Sequence, residues 1–261
     1  MAVLNENGIT QRPRIVANRR FDINEKYFEK IDSHEKAQVL GFIYADGNVA
    51  PVGEAGYLRI EINTIDQDYL EHIGHVVGYE GSVIPTRKGR CCRLVIGCKQ
   101  FVHDLTRLGA MPNKSLILRF PTEEQVPLEF LPSFLLGYME GDGSIYEQKT
   151  RQAYTNTTVS MIGTLDFVSK FKSYIESIGI SSSSISPHKS IFRTIIHGPH
   201  NSVRFLDHIY ANAAFVMKRK YDRYMVGKNK PPRLGNIKGC HKPKWTEERR
   251  NRQLGIPTLS V

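Results

Sequence analysis

A nine-residue sequence occurs twice in this chain, once in each half, and it constrains the fold more than any other feature. VLGFIYADG covers residues 39–47 and LLGYMEGDG covers residues 135–143. Both copies are mostly apolar, and both end on an Asp-Gly pair. They predict two buried helices that stop there, because glycine is the natural residue for a left-handed C-terminal turn. The identical residues include Gly41 with Gly137, Asp46 with Asp142, and Gly47 with Gly143.

Small residues recur four apart within each copy, as Gly41 and Ala45 in the first and Gly137 and Gly141 in the second. On a helix, residues four apart lie on one face, so each pair forms a stripe along which another backbone can approach closely. The two copies predict that the helices pack against each other along these stripes. The larger residues of each motif would then face the core of their own half.

The same order of elements is predicted after each repeated helix. In YLRIEIN, residues 57–63, apolar and polar residues alternate as in a half-buried strand. The first helix is expected to begin with a capping box formed by Asp32 and Glu35. Both halves read α-β-β-α-β-β-α, which predicts an α+β fold of two pseudo-symmetric halves with one antiparallel sheet each. The predicted divisions are a basic arm at 1–20, a first half at 21–121, a second half at 122–226, and a basic tail at 227–261.

The aspartates that end the two helices are unusually placed. A carboxylate at a helix C-terminus meets the negative end of the dipole and is disfavoured by roughly 0.3–1 kcal/mol. Asp46 and Asp142, side by side at the foot of a helix pair, would also repel each other. A divalent cation removes both penalties, and carboxylates with helix-end carbonyls are hard oxygen ligands suited to Mg²⁺. The alternative is an Asp-Gly turn that only closes a helix, but the repetition favours the metal site.

The chain carries a net charge of +10 with a pI near 9.4, which favours a polyanionic partner, with nucleic acid first and a membrane surface second. Residues 227–261 hold nine basic and two acidic residues, so this tail contributes +7. No apolar run approaches the roughly 20 residues of a membrane span, and the N-terminus lacks a stretch of signal-peptide length. We therefore expect no membrane partner and a protein that stays inside the cell.

The cysteines do not indicate a zinc site. No two of them show the spacing of a zinc knuckle, and the adjacent Cys91 and Cys92 would point to opposite faces of one strand. We expect reduced thiols that pack in the interior. The four are Cys91, Cys92, Cys98 and Cys240.

The two nonapeptides resemble the motif that names the LAGLIDADG homing endonucleases, in their single-chain form with two motifs. The resemblance covers roughly residues 21–227 through the order of repeated elements. It implies two halves that meet at the motif helices, and sheets that lie as a saddle in the DNA major groove. It also implies a monomer that makes a double-strand break in a long, near-palindromic DNA site. The implied cofactor is Mg²⁺ or Mn²⁺, two or three ions shared between Asp46 and Asp142.

The resemblance also assigns roles to residues. Asp46 and Asp142 become catalytic metal ligands, joined by the backbone carbonyls of Ala45 and Gly141. The family keeps a lysine near the end of each half, for which this chain offers Lys114 and Lys218, with Lys220 as a rival to Lys218. Tyr44 and Glu140 stand where the motif usually has its first aspartate. DNA contacts are expected from residues of the sheet faces and the tail: Arg59, Glu61, Asn63, Thr158, Ser160, Arg193, Lys228, Lys230 and Arg233.

Two other functions are compatible with the same scaffold. One is an RNA-binding maturase that helps an intron fold, and the other is a DNA-binding regulator that has lost cleavage. The retained aspartates argue against the regulator, because a pure binder gains nothing from carboxylates near phosphates. Binding to intron RNA, measured beside DNA cleavage, would separate the maturase from the endonuclease.

Overall fold

The computed structural model describes residues 21–50, 56–112, 114–149 and 155–230. The predicted basic arm at 1–20 lies outside these ranges, as does the tail beyond residue 230, with Arg233 and Cys240. The described residues as far as Asn229 belong to one compact unit.

The first motif helix, α1, spans His34–Asp46. Its N-cap is Ser33, whose hydroxyl accepts a hydrogen bond from the Lys36 backbone N–H at 3.2 Å. The prediction of a capping box formed by Asp32 and Glu35 is therefore wrong, because the N-cap lies one residue later than predicted. Asp32 instead forms an ion pair with Lys36 at 2.8 Å, one helical turn away.

The predicted order α-β-β-α-β-β-α is confirmed in both halves, and the second half adds one more helix. The first half contains α1, β1 (Gly47–Val49), β2 (Tyr57–Asn63), α2 (Gln67–Val76), β3 (Ile84–Thr86), β4 (Cys91–Gly97) and α3 (Lys99–Arg107). The second half contains α4 (Leu131–Asp142), β5 (Ser144–Lys149), β6 (Thr155–Gly163), α5 (Leu165–Ser177), β7 (Ser186–His188), β8 (Ile191–Ile196), α6 (Pro199–Tyr210) and α7 (Lys218–Lys228).

Each half builds one four-stranded antiparallel sheet with the same topology. The strand orders are β1-β2-β4-β3 and β5-β6-β8-β7. On β2 the residues Leu58, Ile60 and Ile62 are buried against the helices, while Arg59 and Glu61 lie on the opposite face. The alternation follows from the two-residue period of a strand, and the matching topologies make the halves pseudo-symmetric.

The two motif helices α1 and α4 touch backbone to backbone. A Cβ atom on Gly41 would overlap the Phe134 carbonyl oxygen and lie 3.0 Å from the Tyr138 nitrogen. A Cβ atom on Gly137 would overlap the Gln38 carbonyl oxygen in the reciprocal contact. The predicted packing along small-residue stripes is therefore confirmed, and only glycine fits at its centre.

The Asp-Gly pairs end the helices in a different way from the one predicted. Gly47 has φ −73° and Gly143 has φ −84°, so both are extended and the predicted left-handed turn is wrong. Each helix passes directly into a strand, and glycine is needed for space. A Cβ atom would lie 2.6 Å from the Ile43 carbonyl oxygen at Gly47, and 2.6 Å from that of Met139 at Gly143.

The additional helix α7 ties the end of the second half to both halves. Arg219 binds both carboxylate oxygens of Asp66 in the first half at 2.9 Å, and Arg223 donates to the Ile145 carbonyl in the second half at 2.9 Å. None of the helices formed by the described residues combines the length and apolarity that crossing a bilayer requires. Cys91 is partly exposed and Cys92 buried on β4, as alternate faces of a strand require.

We expect Gly41→Ala to reduce the free energy of unfolding by about 3 kcal/mol, the upper end of the usual cost of overpacking, because the new methyl group would meet backbone atoms that cannot rotate away. Urea denaturation of the full chain measures this change. Gly97→Ala is the matched control, since a Cβ atom there would meet nothing within 4 Å. Equal stabilities of the two variants would contradict the backbone contact.

Candidate active site

The foot of the helix pair brings together the two aspartates of the motifs. Asp46 ends α1 and Asp142 ends α4, and a Cβ atom on Gly141 would lie only 3.1 Å from Oδ2 of Asp46. The pKa of Asp46 is raised to about 6, first by burial and second by the negative charge of Asp142. Asp46 is nevertheless exposed by its accessible surface, so solvent screening makes the energetic cost smaller than the shift alone suggests.

Burial also raises the pKa of Asp142, although three neighbours act against it. The positive charges of Lys114 and Lys220 favour its ionised form, and so does a hydrogen bond from Tyr138. Two carboxylates that are costly to ionise thus lie together where two helices end. This is the arrangement of a site built to receive positive charge.

Lys114, the lysine that the resemblance implies for the first half, lies at the end of α1. It is 9% exposed, in a short 3₁₀ turn at Lys114–Leu116. Its ammonium donates to the Ala45 carbonyl at 3.1 Å and, in a short contact, to the Gly47 carbonyl. The lysine therefore spans the backbone on either side of Asp46.

Lys220 occupies the equivalent place at the end of α4. It is 3% exposed, and its ammonium lies within hydrogen-bonding distance of four carbonyl oxygens. Two of these flank Asp142 just as the Lys114 acceptors flank Asp46. The four are Met139 at 2.8 Å, Glu140 at 2.6 Å, Gly141 at 3.1 Å and Gly143 at 2.8 Å.

Lys218 lies outside the site. Its side chain is 81% exposed and pairs with Asp222 one turn along α7 at 2.6 Å. The structure thus places the rival residue, Lys220, where the resemblance expects a lysine. The phase of the helix explains the difference, because Lys220, Tyr224 and Gly227 are the residues of α7 that face inward.

The carboxylate of Glu140, which the sequence marks only as a departure from the motif, is a buried polar centre beside the site. It is fully buried, and it accepts hydrogen bonds from the Tyr69 hydroxyl at 2.5 Å, Gln38 Nε2 at 3.1 Å and the Met217 backbone N–H at 2.7 Å. Burial raises the pKa of Glu140 to about 7 against the effect of these donors. Its neighbour Lys220 shifts the other way, because burial lowers its pKa to about 8.

The oxygens at the helix ends form a donor set that fits a divalent cation. Asp46 and Asp142 supply carboxylates, and Ala45 and Gly141 supply backbone carbonyls, which are the hard ligands preferred by Mg²⁺ and Mn²⁺. Each of these carbonyls already accepts one hydrogen bond, from Lys114 or Lys220, so a cation would bind at its second lone pair. Among the described residues no group of three or more His, Cys, Asp or Glu side chains could hold a metal ion. Water or substrate oxygens would therefore have to complete the coordination.

The outer face of the first sheet carries the predicted residues of β2. Asn63 is exposed and caps the next turn by accepting a hydrogen bond from the Ile65 backbone N–H at 3.0 Å. Glu61 is held between two arginines, with Arg93 Nε and Arg87 Nε each 2.8 Å away. Arg59 is partly exposed on the same face.

Two predicted DNA contacts of the second sheet are almost buried. Thr158 and Ser160 lie on the face away from the core, but they are only 2% and 6% exposed. Their strand partners, Tyr146 beside Thr158 and Ile195 beside Ser160, have longer side chains. The DNA contacts of these two residues stay predictions. Arg193 is partly exposed and lies opposite Ile162.

The residues predicted from the tail are only partly described. Lys228 at the end of α7 pairs with Asp207 at 2.7 Å and donates to the Tyr224 hydroxyl at 2.9 Å. It is therefore engaged within the protein. Lys230 is the last described residue, and Arg233 lies outside the described ranges.

We expect the free energy of unfolding, measured in EDTA, to pass through a minimum between pH 7 and 8. Glu140 has a folded pKa raised from 4.5 to about 7, so the free energy of unfolding falls as the pH rises between these two values. Lys220 has a folded pKa lowered from 10.5 to about 8, so stability rises again above pH 8. Each limb should amount to about 1–3 kcal/mol.

Urea denaturation at intervals from pH 5 to 10 measures both limbs. Glu140→Gln should make the acidic limb shallower than in wild type, with the remaining slope due to Asp46 and Asp142. Lys220→Met should make the alkaline limb shallower, with the remaining slope due to Lys114.

Asp32→Asn serves as a control that should leave both limbs unchanged, because a hydrogen bond to Lys36 lowers the pKa of that exposed carboxyl and its titration lies below this pH range. Parallel curves for wild type and both site variants would refute the assignment.

Comparison with known proteins agrees with this geometry. Residues 129–210 match the model of the LAGLIDADG-like domain, whereas no curated protein matches the chain significantly. The meganuclease I-SmaMI bound to uncleavable DNA has a similar structure at 12% identity, covering 74% of this chain and 87% of that chain with a TM-score of 0.52. The LAGLIDADG homing endonuclease I-GzeII in complex with its DNA target matches at 11% identity, covering 74% and 89%, with a TM-score of 0.51. This chain therefore carries a LAGLIDADG-like domain and has the fold of the LAGLIDADG homing endonucleases.

Proposed function

We propose that this protein is a site-specific DNA endonuclease that hydrolyses one phosphodiester bond in each strand of a duplex and depends on a divalent cation. The observation that carries the proposal is the pair of aspartates at equivalent positions of two halves, each flanked by a buried lysine. The fold neighbours support it, since I-SmaMI and I-GzeII were both crystallised with DNA.

The pseudo-symmetry of the fold suggests the form of the target. Residues 21–121 and 122–226 would each present the outer face of one sheet to half of the DNA site, so a single chain covers a long, near-palindromic sequence. The protein would act as a monomer, because the two halves already supply both aspartates. The tail after residue 227, with a charge of +7, would add contacts to phosphates.

The arginines of the first sheet suggest how bases are recognised. A guanidinium that binds guanine does so through two hydrogen bonds and therefore must be held in a fixed orientation. Glu61 holds Arg93 and Arg87 in this way on the exposed face. Its charge is thereby neutralised, so its proposed role is to orient the arginines, and Arg59 beside it is the residue proposed to read a base directly.

The helix ends would perform the chemistry. Asp46, Asp142 and the carbonyls of Ala45 and Gly141 would hold Mg²⁺ or Mn²⁺. When bound, such an ion supplies an activated water and stabilises the leaving oxygen. One neighbour, I-SmaMI at 13% identity, was crystallised with an uncleaved target in the presence of calcium ions, which is compatible with a cation site in this fold.

The lysines would act on the phosphate itself. Lys114 and Lys220 bring a positive charge to each helix end, where negative charge develops on the phosphate oxygens during cleavage. Their ammonium groups are held by backbone carbonyls at the helix ends. Little reorganisation is therefore needed at the moment of reaction.

A DNA-binding regulator without cleavage explains the site less well. Burial raises the pKa of both aspartates, and the negative charge of Asp142 adds to the shift of Asp46, so their ionised forms cost stability. Carboxylates beside DNA phosphates also weaken binding. A protein that only bound DNA would lose nothing by replacing Asp46 and Asp142.

We expect Asp46→Asn and Asp142→Asn each to reduce double-strand cleavage by several orders of magnitude while DNA binding is kept or improved. Asparagine preserves volume but removes an anionic ligand. The wild-type target is first found by incubating a randomised duplex library with Mg²⁺ and sequencing the cut ends. If the two sites share a central ion, both strands fail in either variant, and if they are independent, each variant nicks the opposite strand.

The matched control for this experiment is Asp32→Asn, an exposed aspartate at the other end of α1, which should cleave as wild type. Cleavage that survives in the double variant Asp46→Asn, Asp142→Asn would refute the proposed function.

The two lysines at the start of α7 give a second test. We expect Lys220→Met to lower the cleavage rate at saturating DNA by about 10²–10³-fold, because the buried ammonium at the helix end is lost. Lys218→Met removes an equal charge from the exposed surface and should leave the rate nearly unchanged. Equal losses in both variants would contradict a specific role for the buried ammonium in cleavage.

A further inference from the structure

The sixth residue of each nonapeptide is polar and almost fully buried in both halves. It is Tyr44 in the first copy, 1% exposed, and Glu140 in the second, fully buried. Successive helical residues are about 100° apart, so this position faces roughly 200° away from the aspartate two residues later. Its side chain therefore points into the protein, toward the segment that leads to the lysine of the same half.

In the first half the contact is made by a hydroxyl group. Tyr44 donates a short hydrogen bond to the Leu108 carbonyl, six residues before Lys114. A Cβ atom on the next residue, Gly109, would overlap the same hydroxyl, so the segment passes close over it. The Tyr44 ring packs edge-on against Phe134 of the other half at 4.9 Å.

In the second half the contact is made by a carboxylate. Glu140 Oε1 accepts the Met217 backbone N–H at 2.7 Å, three residues before Lys220. Its other oxygen accepts the Tyr69 hydroxyl at 2.5 Å and Gln38 Nε2 at 3.1 Å, both from the first half. The Glu140 carboxylate therefore accepts all three of these hydrogen bonds.

Gln38 secures the same segment at two more points. Its Nε2 donates to the Phe215 carbonyl at 2.7 Å, and its Oε1 accepts the Ala214 backbone N–H at 3.1 Å. Residues 214–217 are thus held by side chains of both motif helices. The helix that carries Lys220 starts immediately afterwards, so its first turn is fixed relative to the end of α4.

We propose that Tyr44 and Glu140 are positioning residues that hold Lys114 and Lys220, respectively, at the ends of the two motif helices. One motif position thereby performs the same task in both halves with different chemistry, a hydroxyl donor in the first and a carboxylate acceptor in the second. The proposal rests on the proposed function, because the lysines matter for cleavage only if the protein cuts DNA.

Two conservative variants break these anchors separately. Tyr44→Phe removes only the hydroxyl. Glu140→Gln replaces one accepting oxygen with an amide NH₂, and since both oxygens now accept hydrogen bonds, at least one bond is lost in either amide orientation. Tyr210→Phe is the control, because the buried Tyr210 hydroxyl has no hydrogen-bond partner among the described residues and its ring stacks on Tyr224 of α7.

The first measurement needs no DNA. The full chain is treated with an acetylating reagent, and the labelling rates of Lys114 and Lys220 are read by mass spectrometry. Tyr44→Phe should raise labelling of Lys114 severalfold and leave labelling of Lys220 unchanged. Glu140→Gln should raise labelling of Lys220 severalfold and leave that of Lys114 unchanged. Tyr210→Phe should change neither. Equal increases at both lysines in either variant, or no increase, would overturn the proposal.

The second measurement is strand-resolved cleavage at saturating DNA. Each variant should slow one strand by roughly tenfold to a hundredfold, the cost of a small misplacement, and the affected strand should differ between Tyr44→Phe and Glu140→Gln. Equal slowing of both strands by each variant would overturn the proposal. If labelling separates as expected but the wild-type chain cuts no duplex, the positioning roles stand and the proposed function fails.

Discussion

The close approach of α1 and α4 determines where everything else in the structure lies. At Gly41 and Gly137 the two backbones touch with no side chain between them. This contact brings the helix ends together, so Asp46 and Asp142 become neighbours. If side chains lay between the two helices, the aspartates would be several ångströms further apart and could not share one site.

The buried lysines explain how such a helix pair is tolerated. The last carbonyls of a helix have no partner within it, and they carry the negative end of the dipole toward the aspartates. Lys114 and Lys220 donate to these carbonyls on either side of each aspartate. Two positive charges thus balance two negative ones, and the same groups that stabilise the helix ends are placed for chemistry on a phosphate.

Local patterns predict much of this fold. The alternation in 57–63 gives a half-buried strand, and the spacing of small residues gives the helix contact, because both depend only on the period of one element. The conformation of Gly47 and Gly143 could not be predicted in this way, since glycine is selected equally by a left-handed turn and by lack of space. The choice between Lys218 and Lys220 depends on which residues of α7 face inward. Tyr224 and Gly227 mark the inward face, and Lys220 lies on it.

The Glu140 cluster lies beyond such reasoning. Its partners Gln38, Tyr69 and Met217 are separated from it by 102, 71 and 77 residues along the chain. A buried carboxylate with three donors is specified by packing between the halves, and no periodicity within one element indicates it. Thr158 and Ser160 are a milder case, because their face follows from alternation but their exposure depends on the length of neighbours on other strands.

The backbone contact at the glycines has a consequence for how such proteins diversify. An interface made of main-chain atoms carries little side-chain information, so a half taken from another protein with glycine at the same positions would meet its new partner in nearly the same geometry. Recombination of halves could thereby combine two recognition surfaces into a new one. The polar cluster limits such exchange, because Glu140 in one half needs the matching donors Gln38 and Tyr69 in the other.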